Sequence, residues 1–378
     1  MTDQAYSPGL EGVIAGESAL SRIDVEINRL ILRGYDLVEL TENACYEEVA
    51  YLLLYGALPT AAELAAFNRE LRAERALPGP VVDLLRTAPA DAHPMDLVRT
   101  AVSALAFFDV ETRDNSHEAN VRKTVRLMAK IPTAIATGHR FAEGLEPVAP
   151  DAELDQAANL LYMLRGERPP AYEIEAMNVS LILYAEHGYN ASAFTGRVVA
   201  STLADLYAAV TAAIGALGGP LHGGANEAAM EMLAEIMKAV EGGTTPEAWL
   251  TDAFATKRKL MGFGHRVYKN GDHRAGILRE WGLKYAEQEN TDARKWFDLG
   301  DEVQAVMLRE KNIHPNVDYP CGMTYYAMGI PVPQYTPIFV ASRVTGWCAH
   351  IMEQHQNNRI IRPLAEYTGP ELKSWEGN

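Results

Sequence analysis

Three short segments of this 378-residue chain carry residues able to do acid–base or carbonyl chemistry. The first is Gly218-Gly219-Pro220-Leu221-His222-Gly223-Gly224-Ala225-Asn226-Glu227, a glycine-rich turn leading into an Ala/Met-rich helical pattern. Backbone N–H groups at a helix start favour negative charge and lower the pKa of a nearby histidine. A neutral imidazole held there can donate a hydrogen bond to a developing enolate oxygen. The glycines superficially suggest a phosphate loop, but neither GxGxxG after a strand nor GxxxxGK[ST] is present. The second segment is Pro315-Asn316-Val317-Asp318-Tyr319-Pro320-Cys321-Gly322, a Pro/Gly-bounded turn. Asp318, between an apolar residue and an aromatic, could be a desolvated general base. Capping the following helix is the commoner role for such an aspartate. The third is Met261-Gly262-Phe263-Gly264-His265, an apolar, glycine-bearing turn that ends in a histidine.

That third turn interrupts a basic island. From Thr256 to Arg279 there are seven basic residues (Lys257, Arg258, Lys259, Arg266, Lys269, Arg274, Arg279) against one acid, Asp272. The local net charge is +6, with His265 and His273 in addition. The whole chain carries −16, from 34 Lys and Arg against 50 Asp and Glu, so the remainder holds −22. An acidic surface disfavours nucleic acid and anionic membrane as partners. A basic island within it is a candidate anion site, because focusing depends on the local field. Further cations stand at the ends of apolar helical stretches, in Glu186-His187-Gly188-Tyr189-Asn190, Ser342-Arg343 and Arg359-Ile360-Ile361-Arg362-Pro363. There they could meet a carboxylate bidentately or simply balance a helix C-terminal dipole. The ten histidines lack HxxxH and HExxH spacing, and GxSxG is missing, so neither a metal site nor a serine hydrolase has positive support.

The elements that must position these residues read as mainly α-helical. Helical spacing runs over Cys45–Gly56, and Thr60 with Glu63 forms a capping box for a helix to about Arg75. Further helices are expected near 94–108, 117–142, 152–165, 173–186, 195–216, 226–241, 246–260, 274–288, 294–311 and 336–355. Strand-like alternation is confined to the first forty residues, where Ala19 to Leu32 could form a hairpin. The stretches 195–216 and 336–355 are apolar nearly all round, which suits helices inside a large core or across a subunit interface. With 48% hydrophobic residues, the chain is longer than one core usually serves, so one long or two domains are expected. No apolar run is long enough to span a bilayer, and the Met1-Thr2-Asp3-Gln4 start does not resemble a signal peptide. Cys45, Cys321 and Cys348 lack CxxC spacing, so a cytoplasmic, reducing setting is the expectation.

Taken together and in order, EHGYNAS, GPLHGGANE, KLMGFGHRVYK, DHRA, PNVD, SRVTGW and NRIIRP resemble the citrate synthase family. The resemblance extends to LRGYDLVEL and EEVAYLLLYGALPT, and the length matches the short bacterial and archaeal branch. It implies an almost wholly helical, two-domain fold, with residues 1–223 and 330–378 in a large dimer-forming domain. Residues 224–329 would form a small domain closing over the active site. The family's catalytic trio falls on His222, His265 and Asp318. Oxaloacetate would be held by His187, His265, Arg274 and Arg343, with Arg362 supplied by a neighbouring subunit. Coenzyme A would lie along Lys259, Leu260, Met261, Gly262 and Phe263. The implied reaction condenses acetyl-CoA with oxaloacetate and hydrolyses the thioester, in a homodimer or larger homo-oligomer, without a metal or tightly bound cofactor. Two departures stand out: Tyr319-Pro320-Cys321-Gly322 follows PNVD, and Asp272-His273-Arg274-Ala275 replaces the usual DPRA. They leave acyl selectivity open, with propionyl-CoA and 2-methylcitrate as the alternative. An inactive scaffold of the same fold is the rival of another class, against which the intact trio argues.

Overall fold

The computed structural model of the chain describes residues 6–265, 267–268 and 271–375. Its one sheet is small and antiparallel, with strands β1 (Ser21–Asp24), β2 (Arg29–Leu32) and β3 (Tyr35–Asp36) in that order. Ser21 pairs with Leu32 and Ile31 with Asp36, so Leu30 and Leu32 face the core. The third strand, absent from the expected hairpin, follows a two-residue turn in which Arg33 and Gly34 have φ of 48° and 95°. Two left-handed residues suit a tight hairpin between twisted strands.

Sixteen α-helices occupy most of the remaining described residues. The N-terminal group is α1 (Leu37–Asn43), α2 (Tyr46–Tyr55), α3 (Ala61–Ala73), α4 (Gly79–Arg86) and α5 (Pro94–Leu105). The expected capping box is present at α3, where the Thr60 amide donates to Glu63 Oε2 at 2.8 Å. Then come α6 (His117–Ala142), α7 (Gln156–Arg165), α8 (Ala171–Tyr184), α9 (Ala191–Ala200) and α10 (Leu206–Leu217). The expected single helix over 195–216 is thus two. Asp205 breaks it, its carboxylate accepting from the Ala208 amide at 3.0 Å to cap a new helix, and Leu203 turns the chain with φ of 64°. After α11 (Ala225–Glu241), α12 (Pro246–Ala255), α13 (His273–Gln288) and α14 (Arg294–Lys311) comes α15 (Asp318–Ala327). Its sequence reads as a turn because of Pro320. That proline stands in the first helical turn, where a missing N–H leaves no intrahelical bond unmade.

The last helix, α16 (Tyr335–Gln356), is buried along nearly all of its length and packs against α2, α6, α8, α9 and α10. That burial is why its sequence lacks a polar face. A second set of contacts joins α11, α12, α13, α14 and α15 to one another. The candidate site lies where this set meets α8 and α16. No described helix is long and apolar enough to cross a membrane.

Candidate active site

A cavity of about 110 Å³ is lined by Tyr184, His187, Asn190, His222, His265, Arg274, Asn316, Val317, Asp318, Phe339 and Arg343. Six of the residues singled out in the sequence therefore meet in one place, although 156 positions separate His187 from Arg343. Arg362 does not join them. It lies exposed in the segment after α16, which has no helix or strand among its described residues.

His222 sits three residues before α11, in the turn rather than at the helix mouth itself. Its ring is fixed from α9, where the Ser192 amide donates to Nε2 at 3.3 Å and Ser192 Oγ stands 2.7 Å from the same nitrogen. An amide can only donate, so Nε2 accepts and the proton of the neutral ring is on Nδ1. Trp347 Nε1 donates to Ser192 Oγ at 3.0 Å and holds the arrangement from α16. Burial, reinforced by the charge of Arg343, lowers the His222 pKa to about 4. The imidazole is therefore neutral at pH 7 and presents an N–H.

His265 shows the same logic with the nitrogens exchanged. The amides of Val267 and Tyr268 donate to Nδ1 at 3.1 and 3.2 Å, which puts the neutral ring's proton on Nε2. The segment carrying it is clamped to the approach to α15. Gly264 N donates to His314 O at 2.8 Å, Asn316 N to Gly262 O at 2.9 Å, and Asn316 Nδ2 to Gly264 O at 3.0 Å. Asn316 Oδ1 also accepts from the Asp318 amide at 3.1 Å, so one side chain ties the histidine to the aspartate. Gly262 is required here: its φ is 80°, and a Cβ would come within 2.9 Å of Tyr319 Cβ.

Asp318 is the first residue of α15, and its Oδ1 accepts from the Tyr184 hydroxyl at 2.9 Å. Burial raises its pKa to about 6, opposed by the Tyr184 hydrogen bond and the charge of Arg274. His187 is buried, with Nε2 3.2 Å from Tyr268 Oη and its ring 5.2 Å from that of His265. Burial and the nearby charge of Arg274 hold it well below the usual histidine range. Arg274 and Arg343 are buried, at 3% and 1% exposure, which only a compensating charge or an anionic ligand makes tolerable. Asp272 supplies that charge for Arg274, accepting from Nε at 3.0 Å and from Nη2 at 2.7 Å. Arg343 donates Nε to the Tyr184 carbonyl and stands 4.8 Å over the Phe339 ring.

Among the described residues the basic island does not form one patch. Arg258 pairs with Glu235, Arg279 with Asp301, and Arg274 turns inward to Asp272. Lys257 and Lys259 remain exposed, Leu260, Met261 and Phe263 are half-buried, and Arg266 and Lys269 lie outside the described residues. Among the described residues no group of three or more His, Cys, Asp and Glu could hold a metal. Four supporting residues stand outside the sequence-based expectation: Tyr184, Ser192, Asn316 and Trp347. Ser192 and Trp347 stand inside the EHGYNAS and SRVTGW motifs and Asn316 inside PNVD, so proximity to the charged residues was their available signal.

A family model described as citrate synthase, C-terminal domain, matches residues 9–364. The chain belongs to the citrate synthase family. Citrate synthase from Mycolicibacterium smegmatis is 45% identical, covering 97% of this chain and 96% of the relative. 2-Methylcitrate synthase from Shewanella oneidensis is also 45% identical, covering 96% of this chain and 94% of its own. A ternary complex of the Thermoplasma acidophilum citrate synthase with carboxymethyl coenzyme A and oxaloacetate superposes with a TM-score of 0.92. That structure is 32% identical and covers 98% of each chain. The helical fold is thus that of the citrate synthase family over essentially the whole chain.

Proposed function

We propose that the cavity condenses acetyl-CoA with oxaloacetate and hydrolyses the product to citrate and coenzyme A. The observation that carries this reading is the convergence of a carboxylate and two oriented N–H donors on one small space backed by two buried arginines. Asp318 takes a proton from the acetyl methyl group while His222 Nδ1–H hydrogen-bonds the thioester oxygen as it becomes an enolate. The enolate carbon attacks the ketone of oxaloacetate, which His265 Nε2–H polarises. Arg274, Arg343 and His187 hold the carboxylates, for which the planar guanidinium fork is suited. Water then cleaves the thioester and releases the thiol. Lys259 to Phe263 are the proposed coenzyme A stretch, beside the turn that carries His265.

Release of free thiol on mixing the protein with oxaloacetate and acetyl-CoA tests the reading; no release with acetyl-CoA or propionyl-CoA would refute it. Propionyl-CoA is the second acyl donor to assay, because the chain is as similar to 2-methylcitrate synthases as to citrate synthases. A higher kcat/KM with propionyl-CoA would make 2-methylcitrate the product.

Arg362 belongs to this site through a second copy of the chain. Its exposure, outside the cavity that holds the other cations, is what supports a role in a partner's cavity. Arg362→Ala should weaken oxaloacetate binding, and mixing it with Asp318→Ala should restore activity in mixed dimers above that of either variant alone. Mixed dimers as inactive as their parents would remove Arg362 from the site.

A further inference from the structure

Two buried arginines face the same cavity, yet their counter-charges are disposed differently. Asp272 grips Arg274 directly at two nitrogens. Among the described residues, Arg343 makes no ion pair, and its fork is left open toward the cavity. The charge that most favours the ionised Arg343 is that of Glu186. This carboxylate is wholly buried and unequally satisfied. Its Oε1 accepts from Ser21 Oγ at 2.9 Å, from His350 Nε2 at 3.0 Å, and from the Gly188 amide. Its Oε2 has no partner and lies against Gly346, where a Cβ would come within 2.5 Å of it. Gly346 is three residues from Arg343 on α16, so the bare oxygen stands on the face of the helix that carries the arginine.

The donor that holds Glu186 is itself oriented from behind. Arg197 Nη1 lies 3.0 Å from His350 Nδ1 and 3.0 Å from Glu353 Oε2. A guanidinium only donates, so Nδ1 of His350 accepts and its ring proton faces Glu186 from Nε2. A chain thus runs from half-buried Glu353 through buried Arg197 and His350 to Glu186, which lies against Gly346, one turn of α16 from Arg343. We propose that His350 is a positioning residue: by holding Glu186 through Oε1, it keeps that carboxylate from swinging onto Arg343, whose guanidinium stays open for a substrate carboxylate. An internal carboxylate so close would otherwise compete at high effective concentration. The proposal rests on the reading of Arg343 as an oxaloacetate ligand.

Steady-state kinetics of three variants test it. His350→Leu should raise the KM for oxaloacetate about tenfold or more, the size of one lost charge-assisted hydrogen bond, while kcat at saturation stays within about threefold. His350→Gln retains an N–H donor and should recover most of the loss. The deciding variant is His350→Leu with Glu186→Gln, which removes the competing charge and should return KM toward the wild-type value. A merely structural role would leave the double variant at least as impaired as the single one, and that result overturns the proposal, as does an unchanged KM in His350→Leu. Should His350→Leu not fold, His350→Asn, whose amide is too short to reach Glu186, takes its place against His350→Gln. Wild-type turnover tests the reading of the site and the KM ratios test the positioning, so the two fail separately.

Discussion

Replacing Asp318 with alanine should lower kcat by roughly 10²–10⁴ while the KM for oxaloacetate changes little, the signature of a lost general base. Arg274, Arg343 and His187, the proposed dicarboxylate ligands, are untouched by the change, which is why binding should persist. An ordinary aspartate, with a pKa of about 3.9, is a poor base toward a carbon acid. Burial strengthens Asp318 by raising its pKa to about 6, and the Tyr184 hydroxyl limits that rise. The sign of the pH dependence follows: the base must be ionised, so kcat falls as pH drops through about 6. His222, lowered to about 4, remains neutral over that range and does not contribute to the limb. Tyr184→Phe removes a donor that favours the carboxylate, so the acid limb should move to higher pH. Near-normal turnover in Asp318→Ala, or a limb unmoved in Tyr184→Phe, would assign the proton transfer elsewhere.

The charged members of this site were legible because their types and local sequence are unusual: a histidine in a glycine turn, a histidine ending MGFGH, an aspartate between Val317 and Tyr319. What fixes their chemistry was not. The tautomers of His222 and His265 are set by backbone amides of Ser192, Val267 and Tyr268, and an amide has no sequence signature. Tyr184 reads as one more apolar residue at the end of α8 until its hydroxyl is seen on Asp318. Net charge misled in a similar way, since Arg258, Arg274 and Arg279 of the +6 segment pair with Glu235, Asp272 and Asp301, two of which lie outside that segment. Among the elements, the expected span 117–142 matches α6 at both ends, because Ser116 caps a long periodic pattern. The α9–α10 break and α15 do not show in the periodicity, for one reason. Each depends on a single capping or first-turn residue, Asp205 or Pro320, whose effect depends on where the helix starts.

The second large effect is expected at His222, where alanine should reduce kcat by roughly 10²–10³, the range for loss of one oxyanion donor. The argument is one of matching. Asp318, even at about 6, cannot generate a free enolate, so the oxygen must acquire a hydrogen bond as its charge develops. A charged imidazolium would donate more strongly but would risk giving up its proton and would repel the neighbouring Arg343. The lowered pKa of about 4 ensures a neutral ring, and the Ser192 amide ensures that its one proton is on Nδ1. The loss should fall on kcat, with oxaloacetate binding retained, and exchange of the acetyl methyl protons with solvent should slow in parallel. Exchange at the wild-type rate in His222→Ala would show that enolisation does not need this donor. That outcome would leave His222 as a residue that only shapes the turn before α11.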